Sequence, residues 1–194
     1  GVLFQDGALL GSLTVGENVA LPLTEHTKLE PALVREIVLH KLALVGLADF
    51  ADYYPSELSG GMRKRAGLAR AMVTDPPILL CDEPTSGLDP ISAAQMDELL
   101  LDMKARFPGM TIISVSHDMA SVKNIADHVL VLHNRTIGYA GDLAGLESST
   151  DPYLRLFLDR KAARGAARDD PRLSLSEETR KIMHQSLDTW LERG

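Results

Sequence analysis

Cysteine is nearly absent: Cys81 stands alone among 194 residues. It cannot close an internal disulfide, so no disulfide framework organises the fold, and a reducing compartment suits the chain. Its place in the apolar run Ile78-Leu79-Leu80-Cys81 marks it as a small core residue. No uninterrupted stretch of about 18 apolar residues occurs, so the sequence offers no spanning helix. There is no signal-peptide pattern, and the first residue is Gly rather than Met, as at the boundary of a longer product. Positive charge is in short supply: 20 Lys and Arg face 27 Asp and Glu, a net charge of −7. A general nucleic-acid binder is more often basic, so that class loses ground. Also missing is any Gly-x-x-x-x-Gly-Lys-Ser/Thr loop, the pattern that cradles nucleotide phosphates. Internal repeats and low-complexity tracts are absent too.

What is present is an ordinary globular composition, 45% hydrophobic and 24% charged, at a length that suits one domain or one domain with a tail. Residues 2–5 read as the end of a buried strand, and Gly7, Gly11 and Gly16 punctuate the loop after it. A short helix begins near Thr14 and is expected to be limited by Pro22. Pro31 suits the first turn of the next helix, in which Leu33, Val34, Ile37, Val38, Leu42 and Val45 recur at helical spacing up to Gly46. A Ser-Gly-Gly turn opens a basic helix over about 61–74, which Asp75-Pro76-Pro77 stops. The wholly apolar Ile78–Cys81 run suits a parallel strand buried on both faces. A helix over about 91–106, strands at 111–115 and 128–132, a helix at 119–126 and a short strand at 136–139 follow. Strands alternating with helices predict an α/β domain with a mainly parallel sheet. Residues 161–173 read as a basic linker, and 174–194 as an amphipathic helix with a Ser174/Glu177 capping box and the apolar stripe Met183, Leu187, Trp190, Leu191.

Five places carry chemistry. Asp82-Glu83 follows a buried strand, and open α/β sheets bind ligands beyond the carboxyl ends of their strands. One carboxylate there can hold Mg²⁺ while its neighbour orients or deprotonates an attacking water; an isolated acidic pair would equally suit a solvated surface. Ser59-Gly60-Gly61 opens a helix, where glycines admit a phosphate close to the backbone and the helix N-terminus favours an anion; a simple N-cap has the same look. His117 ends a strand between Ser116 and Asp118. Gln5 follows an apolar strand end and says little by itself. Asp89 reads as the N-cap of the next helix.

Order and spacing add what single residues lack. The segment LSGGMRKRAGLARAMVTDPPILLCDEPTSGLDP, from Leu58 to Pro90, resembles the ATP-binding cassette (ABC) transporter ATPases, and the resemblance runs through residues 2–160. It implies an ABC-type, P-loop NTPase-like domain over residues 1–160 with a helical subdomain at about 14–75, and ATP and Mg²⁺ as cofactors. It makes Asp82 the magnesium residue, Glu83 the catalytic base, and His117 the switch histidine at the γ-phosphate, 34 residues after Glu83. Gln5 becomes the glutamine that senses Mg²⁺ and the attacking water. Ser59, Gly60 and Gly61 become the signature that closes over ATP held by an opposite subunit, and Asp89 the aspartate linking the two subunits. A dimer follows, most simply a homodimer, together with a membrane-spanning permease facing the loop at about 6–25.

At subfamily level, Phe-Gln-x-Gly-Ala-Leu at 4–9, Asn-Val-Ala-x-Pro-Leu at 18–23 and Asp151–Asp159 resemble ATPases of Mla-type lipid importers. Those work with a lipid-carrying MCE-domain protein, peripheral on the cytoplasmic face of the inner membrane. The family's phosphate loop would lie ahead of Gly1, so the sequence reads as N-terminally truncated. The 194 residues alone are expected to hydrolyse ATP slowly or not at all, with apolar sheet surface uncovered. Two alternatives accompany this expectation: a short non-catalytic partner lending Ser59 to a complete ATPase, and a soluble ABC-type ATPase unconnected with transport.

Overall fold

Four apolar residues followed by Asp82 form the central strand of the three-stranded sheet. The structure, a computed structural model, describes residues 1–158; the basic linker and terminal helix expected at 161–194 lie outside the described residues. The chain divides into two compact units, Gly1–Ala144 and Gly145–Gly194.

In the first unit, β1 (Val2–Leu3), β2 (Ile78–Asp82) and β3 (Thr111–Val115) make a parallel sheet in that order. Val2 and Leu3 pair with Leu80 and Cys81, and Ile78–Asp82 pair with Thr111–Val115 in step. Parallel neighbours need long crossovers. The first contains α1 (Val15–His26), α2 (Pro31–Leu44) and α3 (Gly60–Ala71), and the second contains α4 (Pro90–Arg106). After α5 (Met119–Ile125), β4 (His128–His133) and β5 (Thr136–Asp142) form an antiparallel hairpin. Asn134 and Arg135 at its tip take φ of 47° and 63°, the left-handed pair that a tight hairpin turn demands. The sheet is thus parallel in its three-stranded part, with an antiparallel hairpin as a separate ladder.

Burial differs from the two-faced expectation for β2. Leu79 and Cys81 are 0% and 2% exposed, whereas Ile78 and Leu80 are 50% and 43% exposed. Register places Val2, Leu80 and Ile113 in one row across the exposed face. The opposite face packs against helices: Leu3, Leu79 and Cys81 join Val19, Leu42, Leu68, Met72, Met96 and Leu100 in one buried cluster. That burial pushes the Cys81 thiol up to about 12, which keeps it protonated and inert.

Local chemistry explains the helices. A capping box starts α1: the Glu17 N–H donates to Thr14 Oγ1 at 3.2 Å, and the Thr14 N–H to Glu17 Oε2 at 2.7 Å. Contrary to the expectation that Pro22 limits it, α1 runs through Pro22 to His26. Pro22 removes one helix hydrogen bond and crowds the carbonyl four residues back, and the buried Val15, Val19 and Leu23 hold both sides of it to the core. Asn18, fully buried, donates to the carbonyls of Leu10, Leu13 and Thr14 and accepts from the Leu10 N–H, fixing the preceding loop. α3 lies unusually near that loop. A methyl group on Gly67 would come within 2.8 Å of Gly7 Cα, so no larger residue fits there without backbone movement. Arg70 on the same helix donates to the Gly7 and Ala8 carbonyls at 2.8 Å each.

In the second unit, Asp151 caps the helix Pro152–Leu158 by accepting from the Tyr153 and Leu154 N–H groups at 2.9 and 3.0 Å, and Leu154 is buried.

One-sided burial makes adjacent leucines unequal. Leu79→Ala should destabilise the fold by about 2–5 kcal/mol, and Leu80→Ala by roughly 1 kcal/mol or less. Chemical denaturation of both variants checks this; equal losses would contradict it.

Candidate functional site

Strands that run parallel and end together bring their C-terminal residues to one place. Asp82 is the last residue of β2 and pairs with Val115, the last of β3. One step further, the Glu83 N–H donates to the Val115 carbonyl at 2.9 Å. Glu83 then turns out of the ladder at φ 48°, a left-handed conformation costly for a residue with a Cβ. Its side chain meets His117 just past the end of β3: Nδ1 lies 2.7 Å from Glu83 Oε1. Glu83 is 19% exposed and His117 76%. With Nδ1 facing the carboxylate, the second ring nitrogen of His117 is left for other partners. The other carboxylate oxygen, Glu83 Oε2, is buried and accepts no hydrogen bond.

The hydrogen bond to Glu83, aided by the charges of Glu83 and Asp118, raises His117 above the ordinary histidine value. Protonated His117 therefore stabilises the fold. That contribution is complete below the unfolded histidine pKa and is lost as pH rises through the raised folded one. Gln5 sits beyond the end of β1 at the same end of the sheet, and its Nε2 donates to Ser86 Oγ at 3.4 Å. Asp82 is exposed there.

The remaining predicted residues lie elsewhere. Ser59 caps α3, its Oγ accepting from the Met62 N–H at 3.3 Å. Accepting in this way leaves the hydroxyl proton to be donated outward. The Gly60 and Gly61 N–H groups belong to the first turn, which has no intrahelical partners. A methyl group on Gly61 would lie 3.8 Å from Ser92 Cβ and 3.9 Å from Leu88 Cδ2, so this turn neighbours the start of α4. Asp89 caps α4, accepting from the Ile91 and Ser92 N–H groups at 3.0 Å each. Hydrogen bonding by Ser92, its side chain foremost, holds the Asp89 carboxyl below the usual carboxylate range. The structure thus gathers Gln5, Asp82, Glu83 and His117 at one sheet end, and sets the Ser59–Gly61 turn beside the start of α4, which Asp89 caps.

Sequence reasoning passed over Lys64. It is 4% exposed on α3 and donates through Nζ to the Glu83 backbone carbonyl at 3.0 Å. Flanked by Arg63 and Arg65, Lys64 carries no local signal that singles it out. Among the described residues, no cluster of three or more His, Cys, Asp or Glu could by itself hold a metal ion.

The chain is similar to several known proteins. Residues 1–86 match the family described as ABC transporter. The "Probable ribonucleotide transport ATP-binding protein mkl" of Mycobacterium tuberculosis is 47% identical over 159 residues, covering 82% of this chain and 44% of the relative. The "Intermembrane phospholipid transport system ATP-binding protein MlaF" of Escherichia coli K12 is 43% identical over 158 residues, covering 81% of this chain and 58% of the relative. The chain thus spans about half the length of the curated relatives it matches. Among solved structures, the ATP-binding cassette MJ0796, a dimer bound to ADP and Pi, superposes with a TM-score of 0.66 at 31% identity, covering 74% of this chain and 62% of that one. The cbiO1 protein of Clostridium perfringens, part of the cbiONQ transporter complex, gives 0.70 at 29% identity, covering 81% and 62%.

The α/β fold is that of an ABC ATPase cassette, a P-loop NTPase-like architecture. Along its matched length the chain is similar to ABC transporter ATP-binding proteins, those of Mla-type importers among them.

The contact between Glu83 and His117 has a direct readout. In an NMR titration, His117 should protonate at a higher pH than an ordinary histidine, and Glu83→Gln should return it toward the ordinary value. An unchanged midpoint in the variant would contradict the contact.

Proposed function

We propose that this chain supplies the hydrolytic half-site and the signature turn of an ATP-hydrolysing transporter subunit. One observation carries the proposal: a buried carboxylate oxygen of Glu83 without a partner, beside His117 and one residue from the exposed Asp82. A partnerless buried acceptor is costly unless a proton-bearing group reaches it, and an attacking water is such a group. Asp82 and Gln5 would hold Mg²⁺. That ion is bound through one or two carboxylates, with phosphates and water completing its shell. Bound MgATP supplies the γ-phosphoryl group. Glu83 orients the water and accepts its proton, and His117, fixed through Nδ1, turns its other nitrogen to the phosphate. Ser59 and the first N–H groups of α3 would cap ATP held by a second subunit, with Asp89 at the dimer contact.

The remaining expectations rest on the relatives. A second ATPase subunit, most simply an identical one, and a permease complete the complex, which lies on the cytoplasmic face of the membrane. Among the described residues no helix is long and apolar enough to cross a membrane. Phospholipid is the favoured cargo, with an MCE-domain protein as carrier, because residues 4–9, 18–23 and 151–159 are the segments that resemble Mla-type importers. The M. tuberculosis relative bears a ribonucleotide name instead, so the cargo assay must include both.

The Ser59-capped start of α3 also suits a second reading: a partner that donates Ser59 to a complete ATPase. Mixing the chain with a phosphate-loop-bearing subunit separates the two. ATP binding that appears only in the mixture and survives Glu83→Gln with full turnover supports the second reading.

In the assembled complex, Glu83→Gln and His117→Ala should each lower ATP turnover by about 10²–10⁴-fold while retaining ATP binding. Ser59→Arg should abolish turnover by blocking closure. Phosphate-release assays, with transfer of labelled phospholipid or ribonucleotide between vesicles, provide the measurement. Near-normal turnover in the Glu83 variant would overturn the proposed role.

A further inference from the structure

Glu83 holds a backbone conformation that its own residue type disfavours, at φ 48°. Its N–H is fixed by the Val115 carbonyl at 2.9 Å. Its carbonyl accepts twice, from the Ser86 N–H at 3.1 Å and from Lys64 Nζ at 3.0 Å. The Ser86 bond is local and belongs to the turn. The Lys64 bond reaches across from α3, whose first residues are the Ser59–Gly61 turn. Lys64 is 4% exposed, so its ammonium has been taken out of water to make this contact. Burial lowers its pKa, and the fields of Asp6 and Glu83 oppose that lowering. A charged donor on a carbonyl is worth more than a neutral one and far more than a surface lysine's contacts.

We propose that Lys64 is a positioning residue: it clamps the Glu83 peptide in its left-handed conformation, thereby aiming the Glu83 carboxylate at His117, and it ties the helix bearing the Ser-Gly-Gly turn to that carboxylate. Movement of α3 when the turn meets a ligand is transmitted to Glu83 through this one hydrogen bond, without passing through the sheet. The consequence for hydrolysis rests on Glu83 being the base; the mechanical link does not.

The test is NMR on the chain itself, with Lys64→Met to remove the donor and keep the length. The expected result is a change in the Glu83 carbonyl and Cα resonances and a fall of the His117 midpoint toward the ordinary histidine value, while the remaining amide spectrum stays that of the folded protein. Unchanged Glu83 resonances and an unchanged His117 midpoint in the folded variant overturn the proposal. Should the Met variant fail to fold, Lys64→Gln, uncharged and too short to reach, is judged by the same two signals. In the protein that turns over ATP, Lys64→Met should lower kcat about tenfold or more and leave KM for ATP within about twofold. A rise in KM alone counts against the link. Full turnover in Glu83→Gln would instead remove the proposed function and leave the NMR result standing.

Discussion

The in-step parallel pairing of β2 with β3 is the constraint on which the rest depends. Because Asp82 and Val115 are partners, the two strands end at the same level, and the next residue, Glu83, still donates to Val115 before it turns away. His117 follows Val115 by two residues and arrives opposite the Glu83 carboxylate. A slip of one residue in this register would send alternate side chains to the other face and part the pair. β1, in register on the other side, delivers Gln5 to the same end.

That pairing is anchored by burial on one side only. Leu3, Leu79 and Cys81 enter a core built largely from helices, whereas Val2, Leu80 and Ile113 form an exposed apolar row. An exposed apolar face on a sheet is a surface that seeks cover. The helical side is held by side-chain bonds to backbone rather than by propensity alone. Asn18 and Arg70 grip the loop that follows β1, and Gly67 lets α3 come against it. The strained turn at Glu83 persists because bonds on both its N–H and its carbonyl over-determine it.

Much of this was legible in the residues. The apolar run before Asp82-Glu83 announced β2, and the caps at Thr14, Ser59 and Asp89 announced three helix starts within a residue or two. The order of the motifs placed Glu83, His117 and Gln5 at one site, and the register explains why they meet there. What stayed hidden depends on contacts far apart in sequence. Pro22 looked like a stop because local pattern cannot show that Val15, Val19 and Leu23 hold α1 together across it. Ile78–Cys81 looked doubly buried because uniform apolarity hides which face is packed. Nothing in the hairpin sequence at 128–142 declared its antiparallel sense ahead of the Asn134-Arg135 turn. Lys64 was read as one of several basic residues on a helix, since its carbonyl partner lies on another element.

Amide hydrogen exchange at Glu83 tests the central claim most directly. If the β2–β3 register holds the site together, the Glu83 N–H, bonded to Val115, exchanges slowly and in step with the amides of Leu79–Asp82, although Glu83 lies outside the strand. Exchange at the rate of an open loop, with β2 itself protected, would contradict the claim that the strand pairing positions the carboxylate.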